Sequence, residues 1–332
     1  MAKEGRREMK IITAFAISAL LLIGQSCSAG IVNSTSYLCS ELLVSVPAGA
    51  FMGGFDVLPG GNYVINDGAA VREITQSGDD VRALYTYDSP VFASFVRHNN
   101  GLVYFADTDY NSSMIRCVDL DGGAATDIAR LDWNYDIDFY DNQAYVVAGD
   151  NVYMINPDNT TVKKAAAPGY SGPVALDAAG NLYYSPSNYP FTTAIYKWNA
   201  DKLQSGTTLQ IADADASISV GGAAGIVFDN MGRLIFSNNF GGQAIIQRWD
   251  GASIETLGIF ALEDVESPAI TLLRYDPATN DLYAAVNYYT DGYANNYSYI
   301  AKLEYVPEPG SFVGLCWLAT LAGCGRMLRR RK

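Results

Sequence analysis

Between residues 50 and 305 one polar/apolar pattern recurs: an apolar strand, a turn of Asp or Asn and usually Gly, a second strand carrying aromatic residues, a loop, and a third alternating strand. The clearest copies are Val174-Ala-Leu-Asp-Ala-Ala-Gly-Asn-Leu-Tyr-Tyr184, Gly225-Ile-Val-Phe-Asp-Asn-Met-Gly-Arg-Leu-Ile-Phe236 and the segment from Leu272 to Tyr283. Segments from Phe55 to Val64, Phe95 to Phe105 and Ile137 to Val146 repeat it less cleanly. Each is a hairpin by its turn chemistry, because Asn, Asp and Gly tolerate the positive φ that tight turns require.

The position before the aromatic falls at Asn62, Leu102, Ala144, Leu182, Leu234 and Leu282, at intervals of 40, 42, 38, 52 and 48 residues. That period belongs to propeller blades rather than solenoid repeats. Third strands are expected at Ala70–Ile74, Ile115–Leu120, Val152–Ile155, Ile195–Trp198, Ile245–Trp249 and Ile300–Tyr305. Outer strands are expected at Ala83–Tyr87, Thr126–Leu131, Val162–Ala166, Thr208–Ala212 and Ile254–Phe260. The sixth unit has none of its own, and Glu41-Leu-Leu-Val-Ser-Val46 near the N-terminus would supply it, beside Ile300–Tyr305. The expected fold is therefore all-β: a β-propeller of six four-stranded blades over residues 30–305.

The flanks differ from this body. Lys3, Arg6, Arg7 and Lys10 precede an uncharged run, Ile11 to Gly24, and then Cys27-Ser-Ala29, the three-part layout of a secretory signal peptide over residues 1–29. At the other end, Val306-Pro307-Glu308-Pro309-Gly-Ser311 forms a polar break. An apolar stretch follows, and Arg326, Arg329, Arg330, Arg331 and Lys332 close the chain. Residues 306–311 read as a linker and 312–332 as a transmembrane sorting helix whose basic end stays in the cytoplasm. Its apolar part, Ser311 to Gly325, would be about 22 Å long as a helix against a hydrocarbon core of about 30 Å, a length that suits a transient anchor.

Composition fits an ordered Gly- and Tyr-rich β protein. Of 332 residues 49% are apolar and 17% charged, with 31 Gly and 23 Tyr. The net charge is −13; residues 1–29 carry four Lys/Arg against two Glu and residues 306–332 five against one, so 30–305 carries −19. A body so acidic repels phosphate backbones, which excludes nucleic acid as a partner. Cys39 and Cys117, the two cysteines of the body, form a disulfide in an oxidising compartment or remain two separate buried thiols.

Candidate chemistry is sparse. His98, the single histidine, lies in the Arg97-His-Asn-Asn-Gly101 segment and is expected as a solvated turn residue, which leaves no Ser/His or Cys/His pair elsewhere. Asp107-Thr-Asp109-Tyr-Asn111 has the alternating oxygen ligands of a Ca²⁺ loop. Ser112 stands where an EF-hand has Gly and Val118 where it has Glu, so a solvated loop competes with a Ca²⁺ site at Asp107, Asp109 and Asn111. Asp136 and Asp138 read as the polar face of a strand. The run Asn287 to Tyr299, with Tyr288, Tyr289, Tyr293 and Tyr297, has the Tyr/Asn/Ser/Gly mix of recognition loops. With Tyr184, Tyr189 and Phe240 it could line a rim that stacks on sugars, or its tyrosines could pack between blades.

The tail from Val306 to Lys332 closely resembles the PEP-CTERM sorting signal. That resemblance implies recognition of Pro307-Glu308-Pro309 by an exosortase, a membrane-embedded cysteine transpeptidase, and a host that secretes exopolysaccharide. The repeats, among them Leu102–Asp107 and the segment from Asp177 to Tyr183, resemble NHL or SMP-30-type six-bladed propellers. SMP-30-like lactonases hold a divalent ion with a Glu, an Asn and an Asp at the channel mouth, a set with no residue-by-residue counterpart here. The expected function is a binding module on the cell surface or in the extracellular matrix, for exopolysaccharide or a surface protein. It would be anchored transiently in the inner membrane with its body outside. A propeller hydrolase or lactonase with a carboxylate-held metal, and a purely structural matrix protein, are the alternatives.

Overall fold

The computed structural model describes residues 31–33, 37–45, 52–108, 113–187, 193–239, 244–260, 266–290 and 295–305. Residues 1–29, expected as a signal peptide, Asp109, Asn111, Tyr189, Phe240, Tyr293 and the whole of 306–332 lie outside the described residues.

Six antiparallel sheets form a closed ring. The first blade holds β3 (Gly54–Val57), β4 (Tyr63–Asn66), β5 (Ala70–Ile74) and β6 (Asp80–Thr86). The second holds β7 (Ala93–Asn99), β8 (Leu102–Asp107), β9 (Ile115–Asp119) and β10 (Thr126–Ala129), and the third holds β11 (Asn134–Tyr140), β12 (Gln143–Ala148), β13 (Asn151–Ile155) and β14 (Thr161–Ala166). The fourth is built from β15 (Val174–Leu176), β16 (Leu182–Tyr184), β17 (Thr193–Trp198) and β18 (Ala216–Val220). The fifth contains β19 (Ile226–Phe228), β20 (Leu234–Asn238), β21 (Ala244–Trp249) and β22 (Ile254–Phe260), and the sixth β23 (Glu266–Tyr275), β24 (Leu282–Thr290) and β25 (Asn295–Tyr305). First strands of successive blades touch one another around the ring, the sixth touching the first, so these strands line the central channel.

Closure is made by the N-terminal segment. Strand β2 (Tyr37–Ser45) pairs antiparallel with β25, Leu43 opposite Ile300 and Tyr37 opposite Tyr305, and becomes the outer strand of the sixth blade. It removes an otherwise open edge, the usual aggregation hazard of a sheet. Just before it, β1 (Ile31–Asn33) pairs with β22 and adds a fifth strand to the fifth blade, Ile31 opposite Phe260. The chain thus clasps two blades before the ring begins.

The hairpin turns follow the local chemistry. Asp177 Oδ1 accepts from the backbone N–H of Ala179 and Asn181, and Gly180 takes φ +78°. Asp229 does the same for Met231 and Arg233, with Gly232 at +72°. Such Asx-type bonds replace backbone pairing and leave positive φ to glycine. Blades meet closely at Gly225, where a Cβ would sit 2.7 Å from the backbone N of Leu273, so the fifth–sixth contact admits no side chain there. At the closing seam Phe55, Tyr63, Ile65, Leu272, Tyr283 and Ile300 are buried together, and the rings of Tyr63 and Tyr283 meet edge to face at 5.8 Å.

One strand differs from expectation. The outer strand of the fourth blade is β18, pairing Ile218 with Ile195, and not Thr208–Ala212. After β17 a short helix, Ala200–Leu203, buries Leu203 and carries the chain away from the sheet. Leu209 then forms an isolated parallel bridge to Ala165, Trp198 donates its indole N–H to Gln210 O at 3.1 Å, and Ile211–Asp213 is a capped 3₁₀ turn. Those contacts occupy the backbone of 208–213 and leave the sheet edge to 216–220.

Candidate functional site

The ends of the first strands build a cavity of about 530 Å³ at one mouth of the channel. It is lined from five of the six blades by residues that include Met52, Ala93, Trp133, Tyr135, Leu272 and Asn287. Three aromatic side chains of its lining, from the approaches to the second, third and fourth blades, face solvent: Phe92 is 68% exposed, Trp133 53% and Tyr170 70%. Large apolar side chains left so open in successive equivalent loops mark a contact surface rather than a packing accident.

Each is held by its backbone. Phe92 O accepts from Thr108 N–H at 2.8 Å, and Tyr170 exchanges two backbone hydrogen bonds with Ser187, at 2.7 and 2.9 Å. Trp133 sits at φ +57°, a conformation costing a bulky residue about 1–3 kcal/mol. Its carbonyl accepts from Gly149 N–H and from the Ser171 hydroxyl, which fixes the strained residue. None of the described residues lining the cavity carries a charge. Many of its polar side chains bond inward: Asn134 donates to Asp107 O and Leu131 O, Tyr135 donates to Ala224 O, and Thr271 donates to Ala285 O. Asn287 Oδ1 is shielded from solvent and accepts no hydrogen bond among the described residues.

Below the mouth the channel is closed by charge. Arg274, 3% exposed, donates to Phe55 O and Leu273 O and lies 3.6 Å from both Asp136 and Asp56. Arg97 pairs with Asp138 at 2.8 Å and faces Asp56 at 3.8 Å. The remaining carboxylate oxygens accept backbone N–H groups, His98 N–H on Asp56 and Leu176 N–H on Asp138. Burial pushes the Asp136 carboxyl above its ordinary range against the pull of Arg274 and Arg97, and lowers Arg274 with help from repulsion by Arg97. For Arg97, burial is outweighed by Asp56, Asp138 and Asp136, which raise it. On the far side a smaller cavity, about 190 Å³, is lined by Arg97, Asp138, Leu176, Phe228 and Tyr275.

Several sequence expectations change here. Asp136 and Asp138 are the hub of the channel network rather than a solvated strand face, because ring closure turns β11 toward the axis. His98 is in strand β7 opposite Val103, its Nε2 shielded, and is not a solvated turn residue. Tyr184 is fully buried, its hydroxyl donating to Tyr170 O at 3.4 Å, so it belongs to the core.

Asp107 pairs with Arg116 at 2.8 Å and accepts Met114 N–H; its intended co-ligands Asp109 and Asn111 lie outside the described residues. The described parts of the tyrosine-rich run pair as β24 and β25, with Tyr288 opposite Tyr297 and the Tyr288 ring 5.6 Å from that of Tyr299. Within the described part of that run, Asn287 rather than a tyrosine reaches the mouth. Cys117 is a free, half-buried thiol.

The last strand gives the site a direction. Asn287, at the mouth, pairs with Ser298, whereas Leu282, at the opposite hairpin end, pairs with Leu303. Tyr305 therefore leaves the ring on the face opposite the mouth.

No protein-family model matches the sequence, and no curated relative does. Among solved structures the chain is similar to the PQQ-bound aldose sugar dehydrogenase of Streptomyces coelicolor, with 13% identity, a TM-score of 0.57, and coverage of 85% of this chain and 100% of that one. It is also similar to a virginiamycin B lyase from Staphylococcus aureus with quinupristin, with 14% identity, a TM-score of 0.52, and coverage of 81% and 100%. A gluconolactonase from Xanthomonas campestris matches with 16% identity and a TM-score of 0.51, over 74% of this chain and 82% of that one. At these identities the likeness shows the fold alone: the described body is a six-bladed β-propeller, as in these structures.

Proposed function

We propose that the chain is an exported propeller binding module, displayed at the cell surface or in the extracellular matrix by its Pro307-Glu308-Pro309 sorting tail, with its ligand seated in the aromatic mouth. The observation that carries the binding role is the cavity ringed by Phe92, Trp133 and Tyr170, three exposed side chains on rigid backbone. Largely apolar concave sites with a few convergent polar groups are the usual places for ligands. The exit of Tyr305 on the opposite face supports display, since a tail fixed in a membrane would leave the mouth pointing outward.

The lactonase alternative needs carboxylates free to hold a divalent ion in the channel. Asp56, Asp136 and Asp138 instead face Arg97 and Arg274, so guanidinium groups stand where the cation would. The test is retention of the full chain on immobilised exopolysaccharide and on isolated surface proteins of its own host, beside a Phe92→Ala/Trp133→Ala/Tyr170→Ala variant. Retention lost in the triple variant supports the binding role; equal retention of the two proteins overturns the mouth as the site.

A further inference from the structure

We infer that the mouth recognises a neutral sugar terminus of one or two rings and rejects charged glycans. This rests on the mouth being the ligand site and adds the chemical class of what enters it.

Size sets the first limit. A cavity of about 530 Å³ accommodates a mono- or disaccharide end but not the side of a long chain, so a terminus enters and the remainder stays in solvent.

Charge sets the second. The body carries −19 over residues 30–305, yet the described residues lining the cavity include no Asp, Glu, Lys or Arg. An anionic sugar would face an acidic protein with no cation at the site to meet it, and burying its charge unpaired is costly. A cationic group would find no carboxylate to pair with among the described lining residues.

Chemistry sets the third. Phe92, Trp133 and Tyr170 present flat apolar faces, the counterpart of the C–H face of a pyranose ring, and their fixed backbones keep the ordering cost of binding low. A purely hydrocarbon ligand would leave Asn287 Oδ1 as it stands among the described residues, shielded and without a donor. A ligand hydroxyl supplies that donor. The inward bonding of Asn134, Tyr135 and Thr271 leaves few other polar groups, which favours a sugar with few free hydroxyls over a heavily hydrated one.

The probes are neutral di- to tetrasaccharides of glucose, galactose, N-acetylglucosamine and 6-deoxyhexoses, their uronate and sulfated counterparts, and aromatic tripeptides. Binding is measured by calorimetry on the full chain in lipid nanodiscs. The expected result is saturable binding of at least one neutral probe, weakened at least tenfold in Phe92→Ala and in Tyr170→Ala. Both side chains are largely in solvent, so these variants keep the fold.

Asn287→Ala should weaken the neutral sugar at least tenfold while leaving any aromatic peptide unchanged. Equal or tighter binding of the charged counterparts overturns the neutral class. Mouth-dependent binding of peptides alone overturns the sugar while leaving the binding module intact. Sugar binding insensitive to all three substitutions overturns the mouth itself.

Discussion

Arg274 of the sixth blade reaches across the channel axis to Asp136 of the third, Nη2 to Oδ1 at 3.6 Å, and the two are among the most deeply buried charged residues described. Opposite sides of the ring are thus tied through its centre. The gap is longer than a hydrogen bond, and Arg274 Nη2 and Asp136 Oδ1 both lack a hydrogen-bond partner.

Removing one partner from such a network leaves the others desolvated. Arg274→Met should lower unfolding stability by about 3–5 kcal/mol, the cost of breaking a buried ion pair from one side. Urea unfolding checks it, and a loss below about 1 kcal/mol would mean that the cluster is already screened by water.

The same carboxyl gives a pH signature. Because the folded value of Asp136 is raised above its ordinary 3.8, its proton is held more tightly in the folded chain than in the unfolded one. That contribution is complete below the unfolded value and is lost as pH rises through the folded value. The stability advantage of the wild type over Asp136→Asn should therefore grow as pH is lowered from 7 to 3, a trend read from urea midpoints across that range. A constant gap would show that Asp136 titrates normally.

Deleting residues 37–45 strips β25 of its outer neighbour. Melting should fall by more than about 5 °C, since each kcal/mol shifts a domain of this size by about 2–4 °C, and the bared edge should promote aggregation. A deletion variant melting with the parent would show that the ring closes without the strap.

For the proposed tail, prolines on both sides of Glu308 would disfavour helix or sheet pairing of the tripeptide. Drawing the basic cluster through a membrane would cost about 2.5–3.5 kcal/mol per charge at the bilayer centre, so the proposed topology keeps that end inside. Glu308→Ala should accumulate a membrane-bound precursor, and truncation after Tyr305 should release the body. Intact mass of the native protein is the measurement, and a mature form still ending in Lys332 would reduce the tail to a plain anchor.

Burial raises the Cys117 thiol above its ordinary value, so less thiolate is present near neutral pH. Alkylation by iodoacetamide in the native chain should run several-fold slower than in the urea-unfolded chain, by mass spectrometry. A Cys117 that resists alkylation even when unfolded without reductant would show it oxidised.

The hairpins were legible because their chemistry is local: Asp177 with Gly180 and Asp229 with Gly232 each specify a turn within five residues. The closing strand was legible because the sixth blade lacked a partner. Thr208–Ala212 misled because its apolar residues suit a strand, while the Trp198 indole and the 3₁₀ turn that claim this segment are tertiary facts.

The channel network was hidden for another reason. Alternation in Asp136-Ile137-Asp138 says that two faces differ, and only the closed ring decides which faces the axis. Phe92, Trp133 and Tyr170 are solitary aromatics in separate loops. Their shared signal, an aromatic one to four residues before the first strand of the second, third and fourth blades, becomes visible once the blades are aligned.

The position of Tyr305 has a mechanical consequence. Strand β25 lies between β24 and the strap β2, with ladder hydrogen bonds on both flanks running across its length. A pull on the tail acts along the strand, so both ladders must shear together and cannot be peeled apart one bond at a time. The blade nearest the proposed mooring is therefore the one placed to carry load, and drag transmitted through the proposed tail would be borne by a strand paired along both flanks.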